Sequence, residues 1–567
     1  MLAGVEFWTV GSAAIVSAGV ASALVLGWIR FGWPAWVLAC IGCAPVVLLT
    51  LMPDHRLISF HGFLHSAIAY RILANGVPPF DPLFAETPLL YPWAHHAVVA
   101  GISRVTGLSP ASIFASINVV ALTATLSTVY AICASLFRDR ATAFFGAALS
   151  LYGLASLPVA VALAAFPSIE LETRLIPIQK YASTNSNALG FLLYAMGLLA
   201  LVRLSDRTGR PTPGSLAALF AAVLAAAIFY PLAWAPLAAV ALASAGVASL
   251  LPGARPVAIW IFVTVACAST IALPYLWSVQ IGKSAAAAIV LDISAGHLIR
   301  NGANLLLVTF GWLALLTLGL PELRQLWRER PAACLVLGAA AMIPAAMFWP
   351  THAAVHSEYK FLALCGFGLA IPSALVVKKI YDRSVLLCFA LLCILFVPAG
   401  SFFAQLARYD FRGDAPAVRE QGQLILLGDE HERALTDWIR AQTAPDAVFV
   451  DSELSIPPFA HRQLYVAMEP AAPGSRLRGW GLPPLTFLAE VIGHPIDSIE
   501  RRRGVTISLL SARGLGYALD TLRRDISTRE LYLVARTPAS RRLSRRPELE
   551  RVFGIGPIQV FRVATGR

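Results

Sequence analysis

Charge is what this chain has least of. Asp, Glu, Lys and Arg supply only 13% of its 567 residues, whereas 57% are hydrophobic, and the mean hydropathy is +0.69. A water-soluble protein of this length could not cover its surface with so few polar groups, so most of the chain requires lipid as its solvent. Early basic residues are also missing: no Lys or Arg precedes Arg30, and Glu6 stands before the first apolar run. A cleavable signal peptide needs a basic start, so that run is read as a retained span. Cysteine is sparse as well. The eight cysteines, at 40, 43, 133, 267, 334, 365, 388 and 393, all fall in apolar runs. That placement argues against a disulfide framework or a structural zinc site, and fits small residues in packed helices.

What is present is a succession of apolar stretches near the roughly 17 to 25 residues needed to cross a bilayer. They run Trp8–Ile29, Pro34–Met52, Ala111–Phe137, Ala141–Ala165, Asn187–Val202, Ser215–Tyr230, Leu232–Leu251, Val257–Val279, Asn301–Leu320, Ala332–Phe348, Phe361–Val377 and Val385–Ala399. The stretch 215–251 has no polar turn, but Pro231 removes a backbone donor and clashes with the preceding turn, so a break is expected there. If the amino terminus is outside, one set of loops holds 13 basic and 5 acidic residues and the other 8 of each. Basic residues concentrate on the cytoplasmic side, which accounts for most of the net charge of +12 without a nucleic-acid partner.

The expected fold class is therefore a polytopic α-helical membrane protein of about 12 transmembrane helices followed by a soluble α/β domain. Residues 1–400 would form the membrane domain, with a large first outer loop at 53–110, and residues 401–567 the extracytoplasmic domain. In the latter, a helix at Glu430–Thr443 precedes strand-like runs Ala447–Val450, Gln463–Val466, Leu531–Val534 and Ile558–Val563. Its arginine runs, 501–503 and 541–546, are read as a solvated face near anionic headgroups.

The first outer loop carries the most chemistry. Five of the eleven histidines, His55, His61, His65, His95 and His96, lie within 42 residues together with Asp54, Asp81 and Glu86. From Ser59 to Leu73 apolar residues recur at helical spacing, with His61 and His65 at i and i+4, which predicts an amphipathic helix along the membrane surface. Asn75-Gly76 would close it, and Pro78-Pro79 would force an extended segment carrying Asp81. Tyr91-Pro92-Trp93 has the composition of a membrane interface.

An acid directly after a span, a helix ending in Gly76-Val77-Pro78-Pro79, then Asp81-Pro82-Leu83-Phe84-Ala85 and Tyr91-Pro92 before the next span together resemble the GT-C class of polyprenyl-phosphate-sugar glycosyltransferases. The break at Tyr230-Pro231 and the tail containing Ala444-Pro445-Asp446-Ala447-Val448-Phe449-Val450-Asp451 are similar to that class too. The resemblance implies an acid in the first loop acting as base or metal ligand: Asp54 by position, with Asp81 as rival, because Phe60-His61 stands where many members place an acid. It also implies a polyprenyl-phosphate sugar donor and a glycan, lipid or protein acceptor, at the outer face of a cell membrane such as a bacterial inner membrane.

Transfer of a sugar to a hydroxyl needs a group to take the proton and a cation to steady the departing phosphate. Lys360, beside Glu358 at the outer end of a late span, and Arg174 are the candidates for that cation. His55, His61, His65, Glu86, Tyr91, His95 and His96 are candidates for substrate contact. A divalent metal held by His61 and His65 with Asp54 or Asp81 is an open alternative, and no cofactor is otherwise implied. A transporter or flippase of lipid-linked glycans is the second reading, but it would place charges in mid-span and show related halves.

Overall fold

The computed structural model describes residues 60–152, 181, 186–205, 211–250, 253–281, 283, 290–352, 359–396, 430–454, 456–468, 487–526, 530–536 and 540–564. These divide into two compact units. One comprises described residues within 115–277 and 289–396, and the other those within 60–114, 278–283 and 430–564.

The first unit is a bundle of apolar helices. Seven helices among the described residues are long and apolar enough to cross a membrane: Pro110–Phe137, Asn187–Ser205, Pro231–Ala248, Arg255–Ser278, Ala295–Leu318, Pro331–Phe348 and Tyr359–Arg383. Pro213–Phe229 and Val385–Phe396 are shorter apolar helices, and Arg140–Tyr152 covers the described part of the stretch read as 141–165. The stretches read as Trp8–Ile29 and Pro34–Met52 lie outside the described residues.

Proline sets the helix boundaries. Pro213, Pro231 and Pro331 each open a helix, and the residues before them, Thr212, Tyr230 and Arg330, leave the α region (ψ 130°, 76° and 63°). A proline ring clashes with a helical residue before it, so each pair ends one element and starts the next. Bundle packing relies on small residues. A Cβ at Gly190 would lie 2.1 Å from the Tyr230 ring, and one at Gly368 would lie 2.4 Å from the backbone nitrogen of Ala341. Close backbone approach through such positions is how helices associate where apolar burial gives no advantage over lipid. A two-stranded antiparallel ribbon, β1 (Val290–Leu291) with β2 (Thr351–His352), also belongs to this unit.

The second unit contains a five-stranded sheet in the order β4-β3-β5-β7-β6. Strand β3 (Val448–Val450) runs parallel to β4 (Gln463–Leu464) and β5 (Leu531–Arg536). Strand β7 (Ile558–Val563) is antiparallel to both β5 and β6 (Leu549–Ile555). Helices Glu430–Gln442, Ile496–Ser511 and Leu515–Asp525 accompany the sheet, and so does the loop segment 60–114. Two expectations need correction here. The helix expected along a membrane surface, Phe60–Asn75, is buried on every side from Leu64 to Ala69, His65 and Ser66 included. It packs on the helix Ala94–Thr106 and on the π-helical turn Ile456–Ala460. The arginine run 501–503 is not wholly solvated either, since Arg502 is buried.

Candidate functional site

Helix closure and the turn that follows place the first acid. Gly76 takes the left-handed conformation at φ 78° and donates its N–H to Ile72 O at 2.8 Å, which ends the helix Phe60–Asn75. The chain then folds back so that Asp81 N–H reaches Thr87 O at 2.8 Å. Asp81 itself is fully buried. Its Oδ1 accepts from Leu83 N–H at 2.7 Å, and its Oδ2 lies 2.8 Å from His494 Nε2. Its carbonyl accepts from Gln463 Nε2 at 2.9 Å. Both carboxylate oxygens and the backbone of Asp81 are thus engaged, as a buried carboxylate requires.

The same turn is tied into the sheet. Leu464 N–H donates to Pro82 O, Ala85 N–H to Leu464 O and Ala467 N–H to Leu83 O, all within 3.0 Å, so the turn at 82–85 is bonded to β4 and to the chain just after it. Arg502 donates to Ala85 O at 2.8 Å and Tyr465 O at 3.0 Å, with its guanidinium 4.2 Å from the centre of the Phe84 ring. Arg71, almost wholly enclosed, donates to Pro445 O at 2.9 Å. Burial, with Arg462 nearby, pulls its guanidinium down to about 10. Glu86 follows, half-buried, at φ 54°.

Three loop histidines converge. His65 Nδ1 and His96 Nε2 are 2.6 Å apart, with their rings stacked at 4.8 Å. His95 lies beside His96 and against Phe114, with Tyr91 6.0 Å from the His65 ring. Both ring nitrogens of His95 lack a hydrogen-bond partner among the described residues. Burial lowers its titration to about 4 and that of His96 well below the usual range. His95 and His96 are therefore neutral, and one of the close pair His65 and His96 donates to the other. Among the described residues no three His, Cys, Asp or Glu side chains gather as a metal-ligand set.

In the helical unit, Lys360 stands at the start of the helix Tyr359–Arg383, its Nζ 5.9 Å from the centre of the Tyr230 ring. Elsewhere in that unit Asn301 and His297, both buried, bond the carbonyl of Thr351. The exposed Arg300 reaches His297 Nδ1 at 3.1 Å.

Asp54, His55, Arg174, Glu358 and the side chain of His61 lie outside the described residues. The expected residues that are brought together are His65, Tyr91, His95 and His96, while Asp81 stands in its own network with His494. Sequence reasoning missed His494, Gln463 and Arg502. Only Arg502 had a local signal, an apolar stripe of Ile499, Val505 and Leu509 at helical spacing around it.

No protein-family model matches the sequence, and no curated protein is similar to it. Solved structures do resemble it. The arabinofuranosyltransferase AftD from Mycobacteria superposes with a TM-score of 0.51 at 16% identity, over 93% of this chain but 40% of that one. An Archaeoglobus fulgidus oligosaccharyltransferase tethered with an acceptor peptide gives 0.47 at 12% identity, over 90% and 70%. ArnT from Cupriavidus metallidurans bound to undecaprenyl phosphate gives 0.45 at 13%, over 94% and 100%. The AftD likeness is one of fold alone, and this chain spans less than half of AftD's length.

Proposed function

We propose that the protein is an integral membrane glycosyltransferase that moves a sugar from a polyprenyl-phosphate donor to an acceptor hydroxyl on the outer face of a cell membrane. The observation that carries this reading is the union of the polar first loop with the C-terminal segment in one compact unit, within a chain of GT-C fold. A fold alone does not define a reaction. Here the loop that holds most of the candidate acids and imidazoles is fixed by buried polar bonds, and rigid placement of reacting groups is what group transfer demands.

The acceptor oxygen attacks the anomeric carbon, the bond from that carbon to the donor phosphate breaks, and polyprenyl phosphate leaves. Asp54 takes the acceptor proton. Asp81, with both oxygens engaged, fixes the path of the loop. Lys360 and Arg174 meet the charge that develops on the leaving phosphate, while His65, His95, His96, Tyr91 and Glu86 serve substrate contact. A divalent ion remains an alternative partner for Asp54.

The test is incubation of the purified full chain with a panel of polyprenyl-phosphate sugars, reading release of the lipid phosphate. Asp54→Asn should lower turnover by roughly 10²- to 10⁴-fold, the usual worth of a positioned base. Wild-type turnover in Asp54→Asn would remove the base assignment. No turnover on any donor, together with donor crossing the bilayer of proteoliposomes, would turn the reading to transport.

A further inference from the structure

In the helical unit, the short helix Leu320–Glu329 joins two span helices. It follows Ala295–Leu318 after Gly319 and precedes Pro331–Phe348 after Arg330. Both neighbours are apolar and of membrane-crossing length, so the short helix is held at the level where their polar ends begin. Leu326 is buried against the bundle, whereas Leu320 and Trp327 are each 49% exposed.

The acids of this region are engaged. Glu322 accepts from Lys379 Nζ, Glu329 accepts from Gln325 Nε2 at 2.9 Å, and Asp382 accepts from Lys378. Arg324 and Arg328 differ from these. They lie at i and i+4, are exposed, and have no ion pair or hydrogen bond among the described residues. With Leu320, Pro321 and Gln325 they line an open depression.

We infer that Arg324 and Arg328 form a binding site for the phosphate of an anionic membrane lipid, with Trp327 and Leu320 in the interfacial layer. Two guanidiniums one turn apart present N–H donors that match phosphate oxygens in number and charge. Tryptophan is favoured at the headgroup level. Glu322 and Glu329 each accept from another residue, and neither bonds Arg324 or Arg328 among the described residues. Each basic residue near an anionic surface raises lipid partition by on the order of fivefold, so two should give a preference in the tens.

The measurement is native mass spectrometry of the full-length protein in mixed micelles of phosphatidylglycerol and phosphatidylcholine. Wild type should retain phosphatidylglycerol in preference to phosphatidylcholine. The double variant Arg324→Gln/Arg328→Gln should fall to near parity, while the exposed control Arg255→Gln keeps the preference. The charge-conserving pair Arg324→Lys/Arg328→Lys should hold most of it, which separates a charge effect from a misfolded helix. Equal retention in wild type and the Gln pair would overturn the proposal. So would displacement of the lipid from wild type by millimolar inorganic phosphate, which would mark a site for a soluble anion.

Discussion

The two units are held together by different means. In the helical unit the contacts are close and mostly apolar, and several buried serine and threonine hydroxyls bond within their own helix, as Ser373 does to Leu369 O and Thr125 to Ala121 O. In the other unit buried ionic groups reach far along the chain: Arg71 to Pro445, Asp81 to His494, Arg502 to Ala85, and Arg536 to Asp451 and Glu432. Lipid is as apolar as a leucine side chain, so the helices gain from shape rather than from leaving water. A loop and a sheet separated by hundreds of residues need directional bonds to fix one pairing, and a buried charge supplies them at the risk of a large loss if it is left alone.

That contrast predicts where single substitutions do most harm. Asp81→Ala would leave His494, Leu83 N–H and the loop turn without their acceptor. Removing one member of a buried polar pair costs about 3 to 5 kcal/mol, so thermal unfolding of the full chain in detergent should show a large drop. Ser373→Ala is equally buried but loses only a local bond, about 1 kcal/mol. Equal losses in the two variants would break the comparison.

Acid should act on the same unit. Burial depresses His95 to about 4 and His461 to about 3, below the ordinary imidazole value near 6.5. Above pH 6.5 both states are neutral and the contribution is whole. As pH falls, the unfolded chain takes protons that the folded one refuses, so stability is lost between about 6.5 and 4, by up to about 3 kcal/mol for His95. A pH series of unfolding midpoints should show this decline, and His95→Phe should flatten it. A decline unchanged in the variant would mean that other groups drive it.

The helical unit was largely legible in the sequence because its signals are local. Hydropathy placed the seven helices of membrane-crossing length found among the described residues, and the pair Tyr230-Pro231 marked a break by backbone sterics alone. The second unit was legible only in pieces. Strand β7 matched its expected limits, but β6 did not stand out, since Glu550, Arg551 and Gly554 interrupt an edge strand whose polar residues keep it from pairing further. The partnership of Asp81 and His494 spans 413 residues, and no pattern in a single sequence connects them. The helix Phe60–Asn75 misled for a related reason. His65 and Arg71 look like parts of a polar face, yet both are buried, and Arg71 bonds the Pro445 carbonyl near the far end of the chain.

The smallest effect compares two glycines on adjoining helices of the bundle. Gly368 faces the backbone of the helix Pro331–Phe348, where a Cβ would lie 2.4 Å from Ala341 N and 2.7 Å from Ala340 C. Backbone cannot rotate aside as a side chain can, so Gly368→Ala must part the helices, at about 1 to 3 kcal/mol. The gain in helix propensity returns about 0.5 to 1 kcal/mol of that. Gly338, on the partner helix, has open space around its Cβ position, so Gly338→Ala should show the propensity gain alone. Unfolding midpoints of opposite sign are expected, lower for Gly368→Ala and slightly higher for Gly338→Ala. Two shifts of the same sign would mean that helix propensity, and not close approach, governs this interface.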